Sequence, residues 1–230
     1  MNKALFILCA CIALASCSPK ASTNENQTAI VDSTTMVVDT AGTAFTEEPH
    51  LQEIAGNWDG SGKNKVLKEH YFSRAKGKEV ISPSRSEASD SIDYMDLIEM
   101  SIKLDATSYL LDDERTMDTL FVSKGRNAQI FGVFYLKNEG DLDGDGADEI
   151  GFVPEWAQMS STNQYYIMSY KDGKWVNYFS FPIWTWMEDF EGLVKKVDKN
   201  KFRIRFRNSE AMEDSMIIDL NKKAASEYNL

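Results

Sequence analysis

Acidic side chains alternate along one short stretch, Asp141-Leu142-Asp143-Gly144-Asp145-Gly146-Ala147-Asp148-Glu149. Asp141, Asp143, Asp145 and Glu149 stand at positions 1, 3, 5 and 9 of a loop, with Gly146 at position 6. A hard cation such as Ca²⁺ takes six to eight oxygens at about 2.3–2.6 Å. A short loop supplies them when alternate side chains point inward and the backbone turns sharply, which Gly146 permits. Asp141, Asp143 and Asp145 would each give a carboxylate oxygen, Ala147 its backbone carbonyl, and Glu149 would close the site. Carboxylates crowded this closely repel one another unless a positive charge sits among them. The bland alternative is a solvated acidic hairpin turn, since Asp-Gly pairs are common at such turns.

The stretch is not a complete EF-hand loop, because position 12 is Phe152 where a bidentate Glu is required. The pattern Asp141-x-Asp143-x-Asp145-Gly146-x-x-Glu149, followed by the apolar run Ile150-Gly151-Phe152-Val153, resembles the calcium loop of FG-GAP and VCBS-type repeats. The resemblance implies a structural Ca²⁺ held between two β segments and a propeller-like setting, as in many bacterial surface proteins. It is strong over about ten residues and weak elsewhere.

A second stretch aligns with the first. Setting Asn57 on Asp141 places Asp59 on Asp143, Ser61 on Asp145, Gly62 on Gly146 and Lys65 on Glu149. Asn57, Asp59 and Ser61 therefore read as a degenerate copy. Ser61 lacks the carboxylate, and Lys65 brings an ammonium to the closing position. The expectation is a metal-free turn of the same backbone shape. A phosphate-loop reading through Gly62-Lys63 fails, because Asn57 stands where the first Gly belongs and Asn64 where Ser or Thr belongs.

The elements that must carry these turns read mostly as β-strands. Val66–Phe72 is a candidate strand, followed by a polar loop from Ser73 to about Asp93. From Ile98, apolar residues alternate through Met100, Ile102 and Leu104, which predicts another strand. Tyr109–Leu111 and Thr119–Val122 are short apolar runs. Ala128–Leu136 leads into the acidic loop. Tyr165–Tyr170 and Trp175–Phe181 flank Asp172-Gly173, a hairpin with a type I′ turn signal. Phe202–Arg207 alternates apolar and basic, as a half-buried strand does, and Ser215–Leu220 is the last candidate. Met187–Lys196 reads as a short helix. The expected fold is mainly β, with antiparallel sheets in a propeller-like or sandwich arrangement and short helical segments.

Composition bounds the function. The 230 residues carry a net charge of −11, which argues against nucleic acid, whose phosphates need Lys and Arg. Forty-three per cent hydrophobic and 11% aromatic content is enough for a sizeable core. Met1-Asn2-Lys3 and the apolar run Ala4–Ala15 read as a secretory leader too short to span a bilayer. Its end, Leu14-Ala15-Ser16-Cys17, resembles a bacterial lipobox. That resemblance implies cleavage of residues 1–16, lipid on Cys17 and membrane attachment through the anchor, with Ser18 pointing to the outer membrane in either leaflet. Cys9 and Cys11 would leave with the leader, so no disulfide is expected in the mature chain. Residues 17–49 are rich in Ser and Thr and read as a flexible tether with a reach of about 30 Å. Asp32-Ser33-Thr34 and Asp39-Thr40-Ala41 resemble a bacterial O-glycosylation signal. Residues 50–230 read as one β-rich domain.

No catalytic motif emerges. His50 and His70 are the only histidines, far from any paired Ser or Cys motif. Trp156, Trp175, Trp184 and Trp186 fall with several Tyr and Phe in the C-terminal half, and their alternation favours a core face. Trp184 and Trp186 are the candidate ligand platform. The expected function is a non-catalytic, calcium-stabilised, outer-membrane-anchored module that binds glycan or protein. The alternative is a hydrolase of envelope or nutrient polymers using paired carboxylates.

Overall fold

The structure, a computed structural model, describes residues 52–86, 88–123, 129–228 and 230, together with an antiparallel backbone pairing of Val37–Val38 with Ala44–Phe45. The leader 1–16, Cys17, His50 and the rest of the tether lie outside the described residues. The fold is mainly β, with antiparallel sheets and no closed barrel among the described residues. No described helix is long and apolar enough to cross a membrane.

After that two-stranded pairing, three sheets follow one another among the described residues. The first runs in the order β1 (Glu53–Gly56), β2 (Lys65–Ser73), β4 (Ala106–Asp112) and β5 (Leu120–Phe121), with β3 (Lys78–Glu79) paired to the far end of β2. The second is a four-stranded meander of β6 (Ile130–Gly140), β7 (Glu149–Trp156), β8 (Thr162–Lys171) and β9 (Lys174–Trp184). The third is β10 (Val194–Asp198), β11 (Lys201–Arg207) and β12 (Glu213–Asp219). In each sheet the first two strands are joined directly by a turn.

Period-2 alternation explains how the middle sheet serves two cores. On β8, Tyr165 and Ile167 join Phe179, Phe181, Phe202 and Ile204 in a core shared with the third sheet. Tyr166, Met168 and Tyr170 point the other way, toward Trp58 of the β1–β2 turn and Leu67, Tyr71 and Leu110 of the first sheet. The β8–β9 hairpin turns at Asp172 and Gly173, both at positive φ (51° and 77°), as a type I′ turn demands. Its register pairs Tyr170 with Trp175 and Tyr165 with Phe181, with an irregularity at Ile167/Met168.

Two expectations are corrected. Residues 94–104 form a helix, α1 (Tyr94–Leu104), and not a strand. Its buried positions are Leu97 and Ser101, at helical spacing, while Ile102 is exposed. Ser101 donates to the Ile130 carbonyl at 3.0 Å, so a polar residue occupies part of the buried stripe. Asp93 caps the helix by accepting from Met95 N–H at 2.8 Å, and Asp105 ends it in the left-handed region. The helix expected over Met187–Lys196 is one 3₁₀ turn, Phe190–Gly192, followed by strand β10. Asp189 caps that turn by accepting from Gly192 N–H at 3.1 Å, and Leu193 closes it just before β10 begins. The polar stretch after Ser73 also contains β3 and two 3₁₀ turns, Pro83–Arg85 and Ser89–Ser91.

Candidate cation site and adjoining cleft

The acidic loop connects β6 to β7. Gly144 (φ 72°) and Gly146 (φ 93°) carry the turn in conformations that L-residues rarely adopt. Local bonds wind the loop around its own carboxylates. Asp141 accepts from the N–H groups of Gly144 and Gly146, Asp143 from Asp145 at 3.1 Å, and Asp145 from Ala147 at 2.9 Å. Carboxylate oxygens of Asp141, Asp143 and Glu149 lie within 4.8 Å of one another. Two oxygens on opposite sides of one Ca²⁺ stand about 4.6–5.2 Å apart, so this donor set fits a hard cation. Asp145 lies outside that group and turns toward Lys171 at 3.4 Å. The Ala147 side chain is buried.

Glu149 is fully buried and already oriented. One oxygen accepts from Leu142 N–H at 2.6 Å and the other from the Ser169 hydroxyl at 2.9 Å. Its pKa is raised to about 7, chiefly by burial and further by the charges of Asp143 and Asp145, against the lowering effect of those two bonds. Carboxylates this close together call for compensating positive charge. Part of that charge comes from the protein itself. Lys171, at the end of β8, forms an ion pair with Asp143. Lys196 and Lys199 of the third sheet donate to the carbonyls of Asp141 and Gly144. None of these lysines carries a sequence signal, because each comes from a different strand or turn.

The degenerate copy joins β1 to β2, the equivalent place in the first sheet. Its internal bonds repeat those of the acidic loop. Asn57 Oδ1 accepts from Gly62 N–H at 2.9 Å as Asp141 accepts from Gly146, and Asp59 accepts from Ser61 at 3.1 Å as Asp143 accepts from Asp145. Gly60 and Gly62 take positive φ (68° and 78°), as Gly144 and Gly146 do. Lys65 Nζ sits 2.6 Å from Asp59, whose pKa falls to about 2, chiefly through that hydrogen bond.

The two turns are stitched together. Asn57 N–H donates to Asp148 Oδ2 at 2.9 Å, Asn57 Nδ2 to the Gly146 carbonyl at 2.6 Å, and Asp148 N–H to the Asn57 carbonyl at 2.9 Å. On its other side the acidic loop receives Asn200 N–H on the Leu142 carbonyl at 3.0 Å, from the turn between β10 and β11. The loop is thus the joint at which the first turns of all three sheets meet. Alignment of the two copies pointed to their likeness, not to their contact; Asp148 stands between two predicted ligands and was assigned no role.

The aromatic platform is divided. Trp184 is half-buried, stacked on Trp186 (centroids 5.3 Å, 21°) with the Arg207 guanidinium 4.6 Å from its ring centre. Trp186 is 64% exposed. Beside this pair lies a cleft of ≈ 200 Å³ lined by Tyr94, Phe134, Glu155, Trp156, Gln158 and Thr185, among others. Arg85 stands 3.6 Å from Glu155 and 2.6 Å from the buried Glu69. Glu69 in turn accepts from Val133 N–H at 2.8 Å. Leu67, Glu69 and Tyr71 alternate onto one buried face, so the position of Glu69 was open to inference from sequence. His70 stacks on Tyr109 and bonds Glu79 at 2.9 Å, a structural role on β2.

No protein-family model matches the chain, and no significant similarity to a curated protein or to a solved structure is found.

Proposed function

We propose that this chain is a non-catalytic, membrane-tethered binding module for glycan or protein, whose central loop takes a structural Ca²⁺. The observation that carries the reading is the convergence of Asp141, Asp143 and Glu149 oxygens within 4.8 Å, in the loop that joins the three sheets. A cation there would neutralise the crowded carboxylates and tie the turns together, so that binding free energy becomes folding free energy. Asp141, Asp143 and Glu149 would hold it directly, with Asp145 and the Ala147 carbonyl completing the shell. The succession of antiparallel sheets, with matching turns between the first and second strands of the first two, supports a propeller-like arrangement of the FG-GAP type. Attachment through lipid on Cys17 at the outer membrane rests on the lipobox resemblance alone. The paired-carboxylate hydrolase gains little support from the cleft, where Glu155 is the single carboxylate among the described lining residues.

Thermal melts of a chain begun at Ser18, in EDTA and in Ca²⁺, test the ion. A rise of several degrees with Ca²⁺ that disappears in Asp143→Ala/Asp145→Ala is expected. An unchanged wild-type melt would reduce the loop to an acidic turn.

A further inference from the structure

The cleft beside the Trp184–Trp186 pair combines features that a solvated crevice does not need. Tyr94 and Phe134 leave 41% and 46% of their surface exposed, yet both are fixed from behind. Tyr94 lies edge-on to Phe131 at 6.0 Å and donates to the Gln158 carbonyl at 3.1 Å. Phe134 lies edge-on to Phe190 at 5.5 Å. Aromatic faces held this way are preorganised, so little ordering cost falls on a ligand that stacks against them. Residues with hydrogen-bonding side chains, Glu155, Gln158 and Thr185, line the same cleft. Glu155 is oriented by Arg85, which also offsets its charge.

We propose that this cleft binds one neutral sugar ring of a glycan, with its apolar face against Tyr94, Phe134 and Trp156 and its hydroxyls on Glu155 and Gln158. The proposal rests on the glycan-binding form of the module reading. Three observations select this ligand class. The volume of ≈ 200 Å³ lies below the range of about 300–1,000 Å³ of drug-sized sites, which suits a single ring. The polar side chains lining it include both acceptors and donors, which suits hydroxyls. The net charge of −11 and the carboxylate in the cleft disfavour acidic glycans. Thr185 lines the cleft and lies between Trp184 and Trp186, so the next ring of a chain leaving the cleft would meet the exposed Trp186 face.

The test is saturation-transfer NMR on the chain begun at Ser18. The probes are methyl glycosides of glucose, galactose, mannose and N-acetylglucosamine, and a short oligomer of each. At least one methyl glycoside is expected to bind, with affinity falling at least tenfold in Phe134→Ala and in Glu155→Gln. Trp186→Ala is expected to weaken only the oligomer. If circular dichroism shows Phe134→Ala misfolded, Phe134→Leu keeps the bulk without the flat ring and must show the same loss. No transfer from any methyl glycoside, or transfer indifferent to both cleft variants, overturns the proposal. Oligomer binding that depends on Trp186 alone would remove the cleft and keep the glycan module. No binding of any oligomer would remove both.

Discussion

Lys171 makes the sharpest prediction about the acidic loop. Its ammonium is paired with Asp143, whose side chain is 7% exposed, and lies 3.4 Å from Asp145. Removing one partner of a fully buried pair costs about 3–5 kcal/mol. Lys171 is itself 37% exposed, so solvent screening reduces the expected cost to about 1–2 kcal/mol. In Lys171→Met, with EDTA present, Tm should fall by about 2–8 °C for a chain of this size. A cation at the proposed site would compete with the same residue for Asp143. Relieving that competition by 1–2 kcal/mol should tighten Ca²⁺ binding by about 5–30-fold. Saturating Ca²⁺ should therefore restore most of the lost stability. Calorimetric titration and paired melts read both effects. Equal destabilisation with and without Ca²⁺, together with unchanged Ca²⁺ affinity, would refute the view that ammonium and metal share one place.

Three further outcomes follow from the same geometry. The pKa of Asp59, lowered to about 2 by Lys65, makes a contribution that is fully present above about 4 and lost as pH falls toward 2. Asp59→Asn should thus be less stable than the parent at pH 7 by about 1 kcal/mol, and the gap should close on acidification in denaturant titrations. Glu69, 1% exposed, anchors both Arg85 and the Val133 N–H, so Glu69→Ala should cost about 3–5 kcal/mol in urea unfolding, well beyond a typical surface change. Asp93→Ala removes the cap of α1 and should lower stability by about 1 kcal/mol while leaving Ca²⁺ binding unchanged.

The convergence of carboxylates in the central loop was legible because it is local. Asp141, Asp143, Gly146 and Glu149 lie within nine residues, and their spacing dictates which side chains can converge and where the backbone must turn. The likeness of the Asn57 turn was legible for the same reason, as was the Asp172-Gly173 hairpin. The alternation of Phe202–Arg207 likewise marked a half-buried strand, which β11 is. Helix α1 was misread because Ser101, which bonds the Ile130 carbonyl, replaces an apolar residue in its buried stripe, and the remaining apolar residues happen to alternate. What only the tertiary structure decided is how distant groups meet. Lys171, Lys196 and Lys199 come to the loop from other strands and turns, and Asn57 reaches Asp148 across two sheets. The cleft draws Tyr94 from α1, Phe134 from β6 and Glu155 from β7. Backbone spacing determines contacts a few residues apart; contacts across sheets depend on register and packing, which no local pattern of residues encodes.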